Sequence, residues 1–154
     1  MAAVRSVNAE TVIAVEPKRM FKAMADWPNV LPKAAPHIVS SVSILQGDGG
    51  VGSIITQTNV QNAKGVTGGK AKVDVVDEDN LVYKYSVLEG VHEGKEAGPG
   101  KCEVKFSPHS GGGCVATIKF ETDSENGLTK AHEPMPEILK VLEQYLLSNP
   151  TAYA

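Results

Sequence analysis

The side chains of this sequence that could do chemistry by type are sparse and scattered. Cys102 and Cys114 are its only thiols and lack CxxC spacing, so they are expected to stay reduced as small buried hydrophobes. His37, His92, His109 and His132 show neither HExxH nor any other metal-ligand spacing, and three of them adjoin turn residues; surface imidazoles are expected. Asp77, Glu78 and Asp79 form an acidic turn without the pattern of a calcium loop, so neither a metal nor a cofactor is expected. Acid–base catalysis needs tuned groups within hydrogen-bond reach. Lys119, the nearest candidate base, lies on the polar side of its strand, and no acid–base pair stands beside a basic phosphate site as a ribonuclease would require. No catalytic residue is assigned.

Two other features point to binding. The glycine-rich run Gly47, Asp48, Gly49, Gly50, Val51, Gly52 could cradle a phosphate only if it opened a helix and carried a lysine. Ser53-Ile54-Ile55-Thr56 reads instead as a strand, which makes the run a hairpin loop. Tyr83 and Tyr85 share the apolar side of another strand. An aromatic ring with a hydroxyl suits a cavity that grips an apolar ligand and orients its polar atoms; it equally suits a filled core whose hydroxyls bond to neighbours. The residues alone leave both readings open.

The elements that position these residues follow from periodicity. Val4 to Val15 reads as a strand stopped by Glu16-Pro17, and Lys18 to Ala25 as a short helix with Met20, Phe21 and Met24 on one face. Pro28, Pro32 and Pro36 bracket a second helical piece around Asn29 to Ala35. Strands are then expected at Ile38–Leu45, Ser53–Val60, Lys70–Val76, Leu81–Leu88, Lys101–Ser107 and Cys114–Glu121, with turns at Gly47–Gly50, Gly65–Gly69, Asp77–Asn80, Gly90–Gly100 and Pro108–Gly113. The side-chain period of two sets Cys102, Val104 and Phe106 against Lys101, Glu103 and Lys105, and Cys114, Ala116, Ile118 and Phe120 against Thr117, Lys119 and Glu121. From Met135 to Ser148, apolar residues at helical spacing form a stripe opposite Glu137, Lys140 and Gln144, and that stripe must bury itself on the dry face of the sheet. The fold class is α+β: a seven-stranded curved antiparallel sheet around a C-terminal helix.

At 154 residues the chain is expected to form a single ligand-binding domain over 1–154. Its net charge of -3 is interspersed rather than blocked, which argues against nucleic acid as the main partner. No run of about 18 apolar residues exists to span a membrane, and Met1 to Val15 does not read as a secretion signal. A cytoplasmic monomer is expected.

Five segments resemble the plant pathogenesis-related class 10 family, whose best-known member is the major birch pollen allergen. They are Arg19-Met20-Phe21-Lys22-Ala23, Leu31-Pro32-Lys33 with Pro36, the Gly47 to Gly52 loop, Tyr85-Ser86-Val87-Leu88-Glu89-Gly90, and Tyr145-Leu146-Leu147 through Ala152-Tyr153. The resemblance implies a helix-grip fold: the sheet holds the last helix, two short helices after the first strand form a V beneath, and a large internal cavity lies between. It implies binding, storage or transport of a small apolar or amphipathic metabolite or hormone, such as a flavonoid, cytokinin or steroid-like molecule, linked to defence and stress.

On that alignment the cavity wall takes Val39, Ile55, Gln57, Ala71 and Val73 from the earlier strands and Tyr83, Tyr85, Val87, Val104, Phe106, Ala116 and Ile118 from the later ones. The helices add Phe21, Met24, Leu139, Leu142 and Tyr145. The alternatives implied are a cavity enzyme resembling norcoclaurine synthase and a weak defence ribonuclease. Thr117 stands where that synthase has its lysine. Three departures matter: Ile55 and Thr56 replace lysines common in the family, Ser43-Ile44-Leu45-Gln46 replaces an acidic position, and Pro134 and Pro136 shorten or kink the last helix. Thr122 to His132 is then expected to be a loop over one end of the cavity.

Overall fold

The computed structural model describes residues 5–37, 39–59, 68–92, 95–96, 99–122 and 134–154. Strand β1 (Arg5–Ile13) leads into helix α1 (Pro17–Ala25), which has Pro17 in its first turn, where a missing N–H costs nothing. The Asp26 N–H closes α1 on the carbonyls of Lys22 and Ala23. Helix α2 (Trp27–Ala34) follows at once; it begins earlier than Asn29 and carries Pro32 within it. Such a short, proline-bearing helix depends on packing, which Val30 and Leu31 supply from its buried side.

The remaining strands are β2 (Val39–Gln46), β3 (Ile54–Asn59), β4 (Gly68–Asp77), β5 (Val82–His92), β6 (Lys95–Glu96), β7 (Gly100–Pro108) and β8 (Cys114–Thr122). All pair antiparallel, in the order β1-β8-β7-β5-β4-β3-β2, with the two-residue β6 off this path beside β5. The sheet is therefore open, with β1 and β2 as its edges.

Two expectations are corrected here. Gly90 to Gly100 is not simply a turn: β5 runs on to His92, and β6 folds back to pair Val91 with Glu96 and His92 with Lys95. Leu81 does not belong to the strand, because its φ of 56° breaks the extended run.

Irregularities in register let the sheet bend. Ala71 pairs with Val87 while Lys70 pairs with Glu89, so Leu88 is the extra residue of a bulge and stands exposed. A second bulge at Asp74 lies between the Val73–Tyr85 and Val75–Lys84 pairs. The glycine loop returns β2 to β3 through Gly47 at φ +91°, where an added Cβ would overlap Ser53 Oγ. Ser53 Oγ in turn accepts from the Gly49 N–H at 2.9 Å.

Helix α3 (Pro134–Ser148) starts at the first of its two prolines, as a short final helix should. Its Met135, Leu139, Leu142 and Leu146 join Val104, Phe106, Ala116, Ile118 and Phe120 from the sheet in one buried cluster. The expected loop from Thr122 onward falls outside the described residues except for Thr122 itself, which ends β8.

Candidate functional site

The inner face of the sheet divides by burial into a fully buried part and a half-buried part. Val73, Tyr83, Val104, Phe106, Ala116, Ile118, Leu139 and Leu142 are each at most 2 % exposed, and Phe21, Met24, Val39 and Ile55 are buried with them. These expected wall residues behave as core. Gln57, Ala71, Tyr85 and Val87 are only half-buried, although strand parity turns them the same way. Register makes them neighbours: Ala71 pairs with Val87, Val73 with Tyr85, and Gln57 with Gly69, two residues before Ala71. Tyr145 is half-buried too and, like Tyr153, packs against the core cluster.

The two central tyrosines are held differently. Tyr83 is 0 % exposed, and its hydroxyl accepts a hydrogen bond from Trp27 Nε1 at 3.0 Å, which ties α2 to the middle of the sheet. Burial, only partly offset by that bond, pushes its hydroxyl up to about 12. The Tyr85 ring lies 6.1 Å from that of Tyr83 at an interplanar angle of 50°. Desolvation by burial raises the Tyr85 hydroxyl well above the usual phenol range. Desolvation likewise pushes the Cys102 thiol up to about 11. Both groups therefore stay neutral at physiological pH. Cys102 and Cys114 are both reduced and buried.

Sequence reading missed four further anchors. Glu143 is 6 % exposed, and its Oε2 accepts from the Ala14 N–H at 2.6 Å, just past the end of β1. Lys140 Nζ reaches the Val12 carbonyl at 2.8 Å, so one turn of α3 clamps the edge strand. Arg19 on α1 donates to the carbonyls of Leu146, Asn149 and Ala152, at 2.8, 2.7 and 2.8 Å respectively, and so caps the C-terminal end of α3. The Tyr153 hydroxyl donates to Asp26 at the α1–α2 junction. The signal for Glu143 was present in the sequence: it sits four residues after Leu139 and three before Leu146, on the apolar stripe.

The outer face is polar. An open depression of about 320 Å³ is lined by Asp74, Lys84, Lys101, Glu103, Lys119 and Glu121 together with Tyr85 and Cys102, and Lys84–Glu103 and Lys119–Glu121 form ion pairs at 3.2 Å. Lys119 is thus turned outward and paired, away from the inner face. His37 is exposed, whereas His109 is half-buried and its Nδ1 accepts from the Gly111 N–H at 3.2 Å; the side chains of His92 and His132 lie outside what is described. Asp77 accepts from the backbone of Asp79 and from Asn80, bonds that lower its carboxyl and mark an Asx turn. Among the described residues no group of His, Cys, Asp or Glu could hold a metal ion, and no helix is long and apolar enough to cross a membrane.

Comparison with known proteins places this geometry. Residues 2–149 match the model of the pathogenesis-related protein Bet v 1 family. The chain is 37 % identical to pathogenesis-related protein 1 of Asparagus officinalis over 96 % of its own length and 97 % of that protein's. It is 32 % identical to the major strawberry allergen Fra a 1.07 of Fragaria ananassa, over 95 % and 96 %. Among solved structures, Ara h 8.0201 superposes with a TM-score of 0.77 at 24 % identity, covering 95 % of this chain and 99 % of that one. A norcoclaurine synthase point mutant from Thalictrum shares the fold, with a TM-score of 0.74 at 17 % identity over 98 % and 99 % of the two chains. The chain belongs to the pathogenesis-related protein Bet v 1 family.

Proposed function

We propose that this protein reversibly binds a small apolar or amphipathic plant metabolite or hormone, of flavonoid, cytokinin or steroid-like size, between the inner face of the sheet and α3. It would hold that molecule in the cytoplasm for storage or transport during defence and stress. The observation that carries the reading is the half-buried group Gln57, Ala71, Tyr85 and Val87 on a face whose neighbouring side chains are fully packed. Apolar side chains with residual accessible surface, next to a core with none, offer area to a ligand at about 25 cal/mol per Å² buried. The names of the relatives, pathogenesis-related protein and allergen, support the link to defence.

The test is titration with a neutral solvatochromic dye. A blue-shifted, saturable signal with Kd on the order of 1 μM, displaced by a flavonoid or a cytokinin, is expected. A dye that stays in water at high protein concentration would refute the reading.

A further inference from the structure

We infer that residues 149–154 form a clasp that holds the α1–α2 unit against α3, and that release of this clasp is the step that admits a ligand to the inner face of the sheet. This inference rests on the binding reading above and adds to it a route and a gate.

Helices α1 and α2 are 9 and 8 residues long, too short to persist undocked, and α2 carries Pro32 within it. Apolar packing docks them from below, through Met20, Phe21 and Met24 of α1 and Val30 and Leu31 of α2. Their polar fastenings to α3 and the residues after it converge on two side chains. Arg19 donates through Nη2 to the carbonyls of Leu146 and Asn149, at 2.8 and 2.7 Å, and through Nε to that of Ala152 at 2.8 Å. Asp26 stands between the helices. Its Oδ2 accepts from the Tyr153 hydroxyl and its Oδ1 from the Asn29 side-chain amide at 2.7 Å, while its carbonyl accepts from the N–H groups of Asn29 and Val30. The residue that Tyr153 grips is thus the one that ends α1 and starts α2.

Three features make this contact releasable and connect it to the wall. Arg19, Asp26 and Tyr153 are only half-buried, so water competes for their bonds as it does not in the core. Tyr153 stands at φ 57°, a left-handed conformation that a residue with a Cβ keeps only where its contacts hold it. Asp26 is followed directly by Trp27, whose Nε1 donates to the Tyr83 hydroxyl at 3.0 Å, and the Tyr83 ring lies 6.1 Å from that of Tyr85. The clasp therefore acts on the bond that seats α2 on the sheet. With Tyr153 released, α2 can lift Trp27 from Tyr83 and uncover the wall beside Tyr85. Short elements fastened at accessible points open without global unfolding, and a ligand that waits for such an opening enters and leaves by the same step.

The test is Tyr153→Phe in the full chain, which removes one hydroxyl and keeps the ring. Stopped-flow mixing with a neutral solvatochromic dye should show association and dissociation rate constants both raised on the order of tenfold, with Kd unchanged within about twofold, because a gate speeds entry and exit alike. Without dye, amide exchange at Val30 and Ala35, whose N–H groups bond to the carbonyls of Asp26 and Leu31, should quicken by a similar factor. A Tm within a few degrees of the parent's reports that the variant is folded. Arg19→Lys keeps the charge but loses the fork that reaches three carbonyls, and should act in the same direction. Unchanged rates and unchanged exchange in Tyr153→Phe would overturn the clasp. Faster exchange with a weaker Kd and an unaltered association rate would overturn the gate, leaving a support for the wall. If the parent chain binds no dye, the binding reading falls and the gate with it, and exchange at Val30 and Ala35 alone decides whether the clasp holds the helices.

Discussion

The half of the sheet formed by β7, β8 and β1 and the part formed by β3, β4 and β5 use the same strand alternation to different ends. On the first, Val104, Phe106, Ala116, Ile118 and Phe120 meet Leu139 and Leu142 of α3, and no accessible surface remains. On the second, Ala71, Tyr85 and Val87 face the same way and stay half-exposed. The difference is not one of hydrophobicity, since both parts are apolar, but of what covers them. Ile55, Val73 and Tyr83 on the second part are buried as fully as the first, so the contrast rests on Ala71, Tyr85 and Val87, which keep accessible surface.

The sharpest way to break this contrast is a large-to-small substitution on each side. Phe106→Ala should cost about 3–5 kcal/mol and lower Tm by roughly 10 °C, because a filled site keeps part of the cavity it gains. Val87→Ala on the half-buried side should cost less than about 1.5 kcal/mol by the same calorimetric measurement, since the lost methyls had little to pack against. Equal losses would show that both parts are core.

A smaller effect tests why α3 covers one side. Glu143→Ala leaves the Ala14 N–H without its acceptor and should cost about 1.5–3 kcal/mol, seen as a shifted urea midpoint and faster exchange of the Ala14 amide. If the amide stays protected, the clamp between α3 and β1 is not what anchors the helix.

The smallest effect is a matter of pH. Cys102 and Cys114 rise from 9.0 to about 11, and Tyr83 from 10.0 to about 12. Between pH 9 and pH 12 the unfolded chain therefore releases these protons before the folded chain does, and stability must fall as pH rises through that window. Well below pH 9 these three groups contribute almost no slope, so urea midpoints at about pH 6.5 and about pH 7.5 should agree as far as they are concerned. A drop confined to lower pH would mean that other groups dominate.

Much of this was legible in the residues. A period of two assigned Cys114, Ala116, Ile118 and Phe120 to the inside, and Pro134 marked the start of the last helix, because both signals are local and repeat along the chain. The bulges at Asp74 and Leu88 were not legible, since a bulge depends on how two strands meet rather than on either strand's own pattern. The bond between Trp27 and Tyr83 joins residues 56 positions apart and exists only once α2 has docked. The division of the wall into buried and half-buried parts was likewise out of reach: Val73 and Ala71 read alike as inward apolar residues, yet Val73 is buried and Ala71 half-buried.

Filling the half-buried part tests the central claim most directly. Ala71→Trp places an indole between Gln57, Tyr85 and Val87. If that space is where the ligand sits, the variant should keep its Tm within a few degrees and lose at least tenfold in affinity for the neutral dye, with the indole occupying the dye's place. A variant that binds the dye as tightly as the parent chain would contradict the account.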